Sequence, residues 1–379
     1  MKKEDFYWLI KIFLGWRLLL FVFLFLALRL IPLQKDFLGG GMENYLKNPW
    51  LWSWANFDGE HYLTIAREGY RPLTYFFFPV YPMLVKALGI IGGFRRPDFL
   101  AFAGLLVSHI SFFLALVGFY KLVRLDKDAK TARLAILLLV FFPTSFFFAS
   151  FYTESLFLAS AVWSFYFARR GDYILAGLLG AVSSATRILG IALVPALAVE
   201  AYKDGKKNLL NKVLGIALIP LGLVLYMYFL KVRTGDPLEF FNTVSIFGEQ
   251  RSTELVLLPQ VFFRYLFKIL PSLNYPSFPQ VFTTYLEILS GGVFFILSIL
   301  SFFRQRLSYS IYFLISYLIP TLSGSFSSFP RYALVLFPGF ILGAYLLRKR
   351  KWLTVLVLSA LCAGLAVATM FFVRGIWIS

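Results

Sequence analysis

The fold class of this chain is indicated by the apolar run of residues 6–31, FYWLIKIFLGWRLLLFVFLFLALRLI. A helix needs about 20 apolar residues to cross a hydrocarbon core of about 30 Å, and this run is longer than that. Lys2 and Lys3 precede it, as cations precede a secretory signal, but the run is too long for a signal and lacks a small-residue cleavage site. We therefore expect it to form a membrane span.

The composition of the whole chain agrees with a membrane protein. Of its 379 residues 59% are hydrophobic and only 15% are charged, whereas a soluble domain is roughly 45–50% apolar. The single cysteine, Cys362, excludes disulfide frameworks and cysteine-rich zinc sites. The net charge of +18 indicates basic loops that face anionic lipid headgroups, and we expect no nucleic-acid partner.

Further apolar blocks follow along the chain. Their rough boundaries are 76–92, 99–122, 132–149, 155–168, 172–186, 188–202, 212–232, 284–303, 308–326, 333–347 and 352–373. Helices are expected here, because a chain in lipid must satisfy its own backbone hydrogen bonds. The sequence predicts an all-α polytopic membrane protein.

The distribution of Lys and Arg predicts the orientation of the spans. The most basic connections are 121–133, 169–170, 203–212, 304–306 and 348–351, which the positive-inside rule places in the cytoplasm. Counting 76–92 as a full span would put 121–133 outside, so we interpret 76–92, with Pro79, Pro82 and Lys86, as a re-entrant or interfacial segment. About eleven spans remain.

This topology divides the chain into three parts. The first is a core at 1–232 with an external loop at 32–98, the second is a large external loop at 233–283, and the third is a set of C-terminal spans at 284–379. It places Asp58, Glu154, Arg187 and Arg331 on the external side. One face of the membrane thus collects the polar residues that interrupt apolar sequence.

The densest polar cluster surrounds Asp58. If this residue begins a short helix, His61 and Tyr62 follow at i+3 and i+4 and share its face. A carboxylate there could act as a general base, worth roughly 10²–10⁴-fold, or hold a divalent ion. The alternative is an amphipathic surface helix with Asp58 as its N-cap. Trp52 and Trp54, just before it, are typical of an interfacial anchor.

Glu154 and Arg187 each interrupt long apolar stretches. An unpaired charge at bilayer depth is costly and usually functional, although Glu154 could also be a solvated loop residue. Arg331 precedes a predicted span, where an arginine could also simply extend its side chain to the lipid headgroups. Because guanidinium groups bind phosphate oxygens in a bidentate fork, Arg187 and Arg331 together could hold a lipid phosphate.

Two further signals have simpler explanations. Asp126 and Asp128 have the D-x-D spacing of metal-binding nucleotide-sugar transferases, but they lie in the most basic loop, where a solvated charge run is expected. His109 stands in a span without a ligand partner at i+3 or i+4, which is typical of a packing histidine.

Several stretches of the chain resemble the PIG-V family, the second mannosyltransferase of glycosylphosphatidylinositol anchor assembly and its prokaryotic relatives. In chain order they are FDGEHYLTIA at 57–66, FFPVYP at 77–82, YTES at 152–155, RILG at 187–190, GDPL at 235–238 and PRYAL at 330–334. The resemblance implies a GT-C glycosyltransferase fold with juxtamembrane helices in the first external loop. It also implies a sugar donor carried on a polyprenyl phosphate, usually dolichyl-phosphate mannose, and an active site outside the cytoplasm.

The resemblance also implies roles for individual residues. Asp58 falls at the catalytic acid, Glu60 and His61 at the same site, and Glu154 and Arg187 around the donor or acceptor. The residues carried over as substrate-binding are Glu60, His61, Tyr62, Glu154, Arg187, Arg331 and Tyr332. A divalent cation, Mg or Mn, is a possible cofactor, with Asp58 as its candidate ligand.

The sequence departs from the family pattern at two positions, and the second of them concerns the acceptor. Phe57 stands where many members have tryptophan or another residue, and Leu189 stands where eukaryotic members carry asparagine. A lipid, glycan or protein acceptor therefore replaces the glycosylphosphatidylinositol precursor as the expectation. The expected location is the cytoplasmic membrane of a prokaryote or the endoplasmic reticulum of a eukaryote.

Two other functions fit the same sequence. A transporter or lipid flippase would use buried polar residues such as Arg17, His109 and Glu154 to line a path through the bilayer midplane. A non-catalytic partner of another transferase would share the spans without the chemistry. A small membrane partner subunit is also possible.

Overall fold

The computed structural model describes residues 1–91, 96–205, 207–243, 252 and 254–378, and these residues form helices joined by turns, without a β-strand. The all-α prediction is therefore confirmed. The α-helices are Lys3–Leu30 (α1), Gly41–Lys47 (α2), Pro49–Trp52 (α3), Asp58–Glu68 (α4), Val80–Ile91 (α5), Pro97–Val123 (α6), Ala129–Val140 (α7), Glu154–Arg169 (α8), Tyr173–Ser184 (α9), Leu193–Lys203 (α10), Leu209–Leu218 (α11), Leu221–Thr234 (α12), Glu239–Asn242 (α13), Leu258–Phe263 (α14), Phe278–Arg304 (α15), Leu307–Thr321 (α16), Phe329–Ala333 (α17), Phe337–Leu347 (α18) and Lys351–Phe372 (α19).

Five helical segments among the described residues are long and apolar enough to cross a membrane. They are Lys3–Leu30, Pro97–Val123, Leu209–Thr234, Phe278–Arg304 and Lys351–Phe372. Other apolar blocks form shorter helices such as Tyr173–Ser184 and Phe337–Leu347. At a rise of 1.5 Å per residue a 12-residue helix covers only about 18 Å. The predicted total of about eleven spans is therefore not confirmed.

One predicted span, at 132–149, is wrong as a continuous helix. α7 ends at Val140, and a short 3₁₀ helix follows at Ser145–Ala149. Pro143 lies between them and lacks the N–H that a continuing α-helix needs. Thr144 and Ser145 use their hydroxyls instead, donating to the carbonyls of Pro330 at 2.7 Å and Val140 at 2.6 Å. The break ties the link between α7 and α8 to α17.

The segment 76–92 contains α5, whose 12 residues are too few to span a membrane. Residue 92, the last of the predicted segment, lies outside the described ranges. α5 packs on α6, where the Tyr81 hydroxyl donates to the carbonyl of Gly104 at 2.9 Å. Its predicted position as a re-entrant or interfacial segment stays a prediction.

The prediction that Trp52 and Trp54 anchor an interface is wrong. Both side chains are fully buried inside the protein. The indole N–H of Trp52 donates to Asp98 at 2.9 Å, and the guanidinium of Arg17 lies 4.4 Å from the Trp54 ring. These contacts fix α3 onto α6 and the turn after α3 onto α1. Together they fix the position of α4, which follows immediately.

The basic connections meet at one end of the helical bundle. Asp126 pairs with Arg169, and Glu200 pairs with both Arg169 and Arg306. Because α8 runs from Glu154 to Arg169, its two termini lie about 22 Å apart along the helix axis. Glu154 therefore belongs to the opposite end, in agreement with the predicted separation. One hydrophobic core includes residues of both 1–232 and 284–379, and the three-part division stays a prediction.

Candidate active site

The candidate site begins at the sharp turn before α4. Phe57 has a φ of 56°, a left-handed conformation that side chains with a Cβ rarely adopt, and its amide donates to the carbonyl of Phe37 at 2.9 Å. Asp58 is the first helical residue, as expected. The alternative role of Asp58 as N-cap is wrong, because Phe57 occupies that position. The turn leaves the Asp58 carboxylate at the helix start, facing Arg331.

Arg331 brings a distant segment to Asp58. It lies 273 positions along the chain, on the short helix α17, and its Nη1 pairs with Oδ2 of Asp58. Its Nε lies 3.6 Å from Oε1 of Glu154. The side chain is only 8% exposed. Snorkelling of Arg331 to lipid headgroups is therefore excluded, since the guanidinium faces carboxylates inside the protein.

Glu154 and Arg187 form the second ion pair of the site. Glu154 is the first residue of α8 and its side chain is 1% exposed, so the alternative of a solvated loop residue is wrong. Nη1 of Arg187 pairs with Oε1 of Glu154 and lies 3.4 Å from the Thr153 hydroxyl. Oε2 of Glu154 is buried and has no hydrogen-bond partner among the described residues. One carboxylate oxygen thus stays available to a ligand.

The four side chains Asp58, Glu154, Arg187 and Arg331, which we call the pocket cluster, carry balanced formal charges. Two carboxylates face two guanidinium groups, so neither sign is left in excess. Burying an uncompensated charge costs several kcal/mol, and the balance makes this burial tolerable. Because each guanidinium has five N–H donors, the arginines can still accept an anionic ligand.

The pocket cluster lines a cavity of about 160 Å³. Tyr62 and Tyr332 contribute further polar groups to its wall, and the Tyr332 ring lies 4.9 Å from the guanidinium carbon of Arg187. The remaining wall is largely apolar and comes from separate segments: Phe76, Phe77, Phe78, Ile188, Leu189, Phe240, Phe241, Ile319 and Pro320. The cavity thus joins a charged centre to aromatic and aliphatic walls. Leu189, noted for its departure from the eukaryotic pattern, is part of this wall.

Glu60 and His61 lie on α4 but do not belong to the cavity wall. The His61 ring stacks on Phe77 at 4.8 Å. Burial lowers the pKa of His61, opposed in part by the charge of Asp58, and burial raises the pKa of Glu60 to about 7. Neither residue is among those that line the cavity, and their substrate-binding role stays a prediction.

Several lining residues were not identified from the sequence. They are Thr186, Phe240, Phe241, Ser252, Ile319, Pro320 and Ser323. Thr186 could have been identified, because it adjoins Arg187 in an interrupted apolar stretch. Phe240 lies in the polar stretch 233–283 and Ile319 in an ordinary apolar helix, and neither carried a local signal.

The described side chains near Asp58 do not resemble a metal site. Within the described ranges there is no group of three or more His, Cys, Asp or Glu side chains that could hold a metal ion. Asp58 has Arg331 beside it, and a guanidinium repels a divalent cation. The metal requirement stays a prediction, and no chemical step below passes through a metal.

The two signals with simple explanations are structural. Asp128 caps α7 by accepting from the amide of Thr131 at 2.8 Å. Asp126 is a partly buried ion partner of Arg169 rather than part of a solvated charge run. His109 contacts the carbonyl of Leu105 through Nδ1 at 2.5 Å, as a packing histidine does.

The chain is similar to a known protein family and to a solved structure. A family model described as Mannosyltransferase (PIG-V) matches residues 9–230. None of the curated proteins matches the chain. A crystal structure of the oligosaccharyltransferase of Archaeoglobus fulgidus, in complex with zinc and sulfate, is similar with a TM-score of 0.47 and 13% identity, over 94% of this chain and 53% of that one. The chain thus spans about half the length of that protein.

Proposed function

The chain belongs to the Mannosyltransferase (PIG-V) family, and on that premise we propose that it is a membrane glycosyltransferase whose reaction takes place at the pocket cluster. The main support for the proposal is that one cavity is lined by all four members of the pocket cluster, Asp58, Glu154, Arg187 and Arg331. They come from four separate segments. Fold stability alone does not require so many buried charges beside an open space.

The proposed reaction is an inverting sugar transfer. Asp58 takes the proton of an acceptor hydroxyl, and that oxygen attacks the anomeric carbon of the sugar. The bond between the anomeric carbon and the lipid phosphate breaks, and its electron pair leaves with the phosphate. Arg187 offsets the negative charge that grows on the phosphate oxygens. Arg331 orients the Asp58 carboxylate through Oδ2, which leaves Oδ1 for the acceptor.

The proposed donor is a polyprenyl-phosphate sugar, with mannose as the sugar expected of the family. The cavity of about 160 Å³ is smaller than the roughly 300–1,000 Å³ of drug-sized ligand sites. Only the sugar and phosphate would fit beside the charges, and the prenyl chain would lie along the apolar wall that includes Phe240 and Ile319. The combination of a charged centre and an apolar wall supports an amphipathic donor.

The acceptor is proposed to be a lipid, glycan or protein hydroxyl that does not depend on an amide contact at Leu189. The reaction is proposed to occur on the extracytoplasmic side. The grouping of the basic connections at the end opposite the pocket cluster supports that side, because basic loops favour the cytoplasm.

The test is transfer of radiolabelled mannose from polyprenyl-phosphate mannose to a membrane lipid extract by the purified chain. We expect Asp58→Asn to lower transfer by roughly 10²–10⁴-fold, because the neutral amide cannot take the proton. Asp126→Asn removes the same charge at the other end and is the matched control. Unchanged transfer by Asp58→Asn would remove Asp58 from the mechanism.

The same assay addresses the metal and the rival functions. Excess EDTA tests the metal requirement: loss of transfer that Mg²⁺ or Mn²⁺ restores would establish the metal, whereas unchanged transfer would agree with the metal-free steps above. Activity of the purified chain alone would dismiss a non-catalytic partner. Lipid flux across liposomes that Asp58→Asn leaves unchanged, without sugar transfer, would favour the transporter.

A further inference from the structure

A second cavity lies at the end of the molecule opposite the pocket cluster. Its volume is about 650 Å³, and it lies between the start of α1, the end of α6, the start of α7 and the C-terminal half of α8. Its charged lining residues are Lys2, Glu4, Asp5, Lys121, Arg124 and Arg133. Four cations therefore face two acids, and the cavity has an excess of positive charge.

Among the described residues, one of these four cations forms an ion pair. Arg133 donates to Asp5 at 2.8 Å. In the part of the chain that the structure describes, Lys2, Lys121 and Arg124 have no carboxylate within ion-pair distance, and Arg124 donates to a backbone carbonyl at 2.9 Å. An anion in the cavity would meet three such cations and the carboxylate of Glu4. The excess of positive charge still makes the cavity suited to a negatively charged ligand.

Aromatic rings hold one of the cations against the wall. The Nζ atom of Lys121 lies 5.1 Å from the centre of the Trp163 ring and 5.8 Å from that of Tyr166. These cation–π contacts restrict the ammonium group. The charge at this position is therefore partly preorganised, and a ligand loses less entropy than it would with a free lysine.

The cavity lies where a lipid headgroup would be. α1 and α6, two of the five candidate spans, contribute their ends to it. Along α6, Ile110 and Leu114 are 53% and 48% exposed. Their positions 11 and 7 residues before Lys121 place them on the same stripe of the helix as this lining cation. An acyl chain that leaves the cavity can lie along this stripe, whereas a free phosphate ion has no use for it.

We propose that this cavity binds the phosphate headgroup of an anionic phospholipid in the leaflet at the basic end of the molecule. Lys121 and Arg124 bind the phosphate oxygens, and the acyl chains lie against α6. Basic pockets between membrane helices have this chemistry. The site is separate from the pocket cluster, so it acts on the stability or orientation of the enzyme and not on the reacting groups.

The test uses the full chain in neutral detergent, titrated with phosphatidylglycerol, with bound lipid counted by native mass spectrometry. Removing both Lys121 and Arg124 charges as Lys121→Gln with Arg124→Gln should weaken binding by about 30-fold, at roughly a factor of five per cation near a lipid surface. The matched control, Lys349→Gln with Arg350→Gln, removes two exposed charges at the same end outside the cavity. It should leave the affinity within about twofold.

Three outcomes overturn the proposal. An equal loss in both double variants would mean that only overall surface charge attracts the lipid. Inorganic phosphate that competes as well as phosphatidylglycerol would make this a free-anion site. Phosphatidylcholine that binds as tightly would show that the site does not select for a net negative charge on the lipid. Should the double variant fail to fold, Arg124→Glu at an exposed position provides the same comparison and should weaken binding more than Arg124→Gln.

Discussion

Two ion clusters at opposite ends of the molecule have the same charges and different hydrogen bonding. The pocket cluster has two acids and two arginines, and so does the cluster of Asp126, Arg169, Glu200 and Arg306, which we call the basic-end cluster. In the basic-end cluster Arg169 donates to both oxygens of Asp126, at 2.7 and 2.9 Å.

Glu200 is satisfied in the same way. Its Oε1 accepts from Arg306 at 2.7 Å, and its Oε2 accepts from the Ser308 hydroxyl at 2.6 Å. In the pocket cluster Oε2 of Glu154 has no such partner among the described residues. An unsatisfied buried acceptor costs about 1–3 kcal/mol. The carboxylates of the basic-end cluster therefore bond within the protein, whereas the pocket cluster keeps one carboxylate oxygen for a ligand.

Removing one arginine from each cluster should give the largest difference between the two clusters, in the rate of sugar transfer. We expect Arg187→Gln to lower the rate of sugar transfer by roughly 10²–10³-fold, because a preorganised donor to the leaving phosphate is lost. Arg306→Gln removes an equal charge from the basic-end cluster and should leave the rate within a few-fold. The measurement is kcat for transfer from polyprenyl-phosphate mannose. Equal rate losses in the two variants would show that both clusters act only through folding.

Removing one acid from each cluster should affect stability more in the basic-end cluster than in the pocket cluster. Glu200→Gln leaves two arginines without their shared carboxylate and should lower the free energy of unfolding by about 3 kcal/mol. Glu154→Gln should cost less, because Glu154 has fewer donors to lose. Denaturant unfolding of both variants in detergent measures this difference. A larger stability loss in Glu154→Gln would show that the pocket cluster is the main structural one.

The smallest effect concerns Glu60, on the helix that begins at Asp58. Burial raises its pKa from 4.5 to about 7, so the folded state binds this proton more tightly than the unfolded state does. The stability from that proton is present below pH 4.5 and is lost as the pH rises through about 7. Glu60→Gln should remove this loss and unfold at a higher temperature than the wild type above neutral pH.

The control for this pH dependence is Glu43→Gln. Glu43 is exposed on α2, and its hydrogen bond with Lys47 lowers its pKa. Its replacement should give no stabilisation above neutral pH. The measurement is the thermal unfolding temperature across the pH range. A Glu60→Gln curve parallel to that of the wild type would mean that Glu60 is solvated.

Local sequence was sufficient for some parts of the site. The helix beginning at Asp58 follows from residue spacing, and the separation of basic connections from Glu154 and Arg187 follows from charge distribution. The family resemblance is confirmed by the match over residues 9–230. That match includes Asp58 and Arg187 but ends before Arg331. The resemblance at PRYAL implied a place for Arg331 in the site, and the structure adds its ion pair with Asp58.

Hydropathy and residue spacing were enough to predict a helical membrane protein, the segment that begins the site and the charged residues that interrupt apolar sequence. Hydropathy and helical spacing are local properties, and they are readable wherever a chain must satisfy its backbone in lipid. The ion pair of Arg331 with Asp58, the burial of Trp52 and the shared cavity wall of Phe240 and Ile319 could be seen only in the folded protein. Those outcomes depend on which distant helices pack together, because a buried charge must find its opposite and a ring must fill the space left by its neighbours.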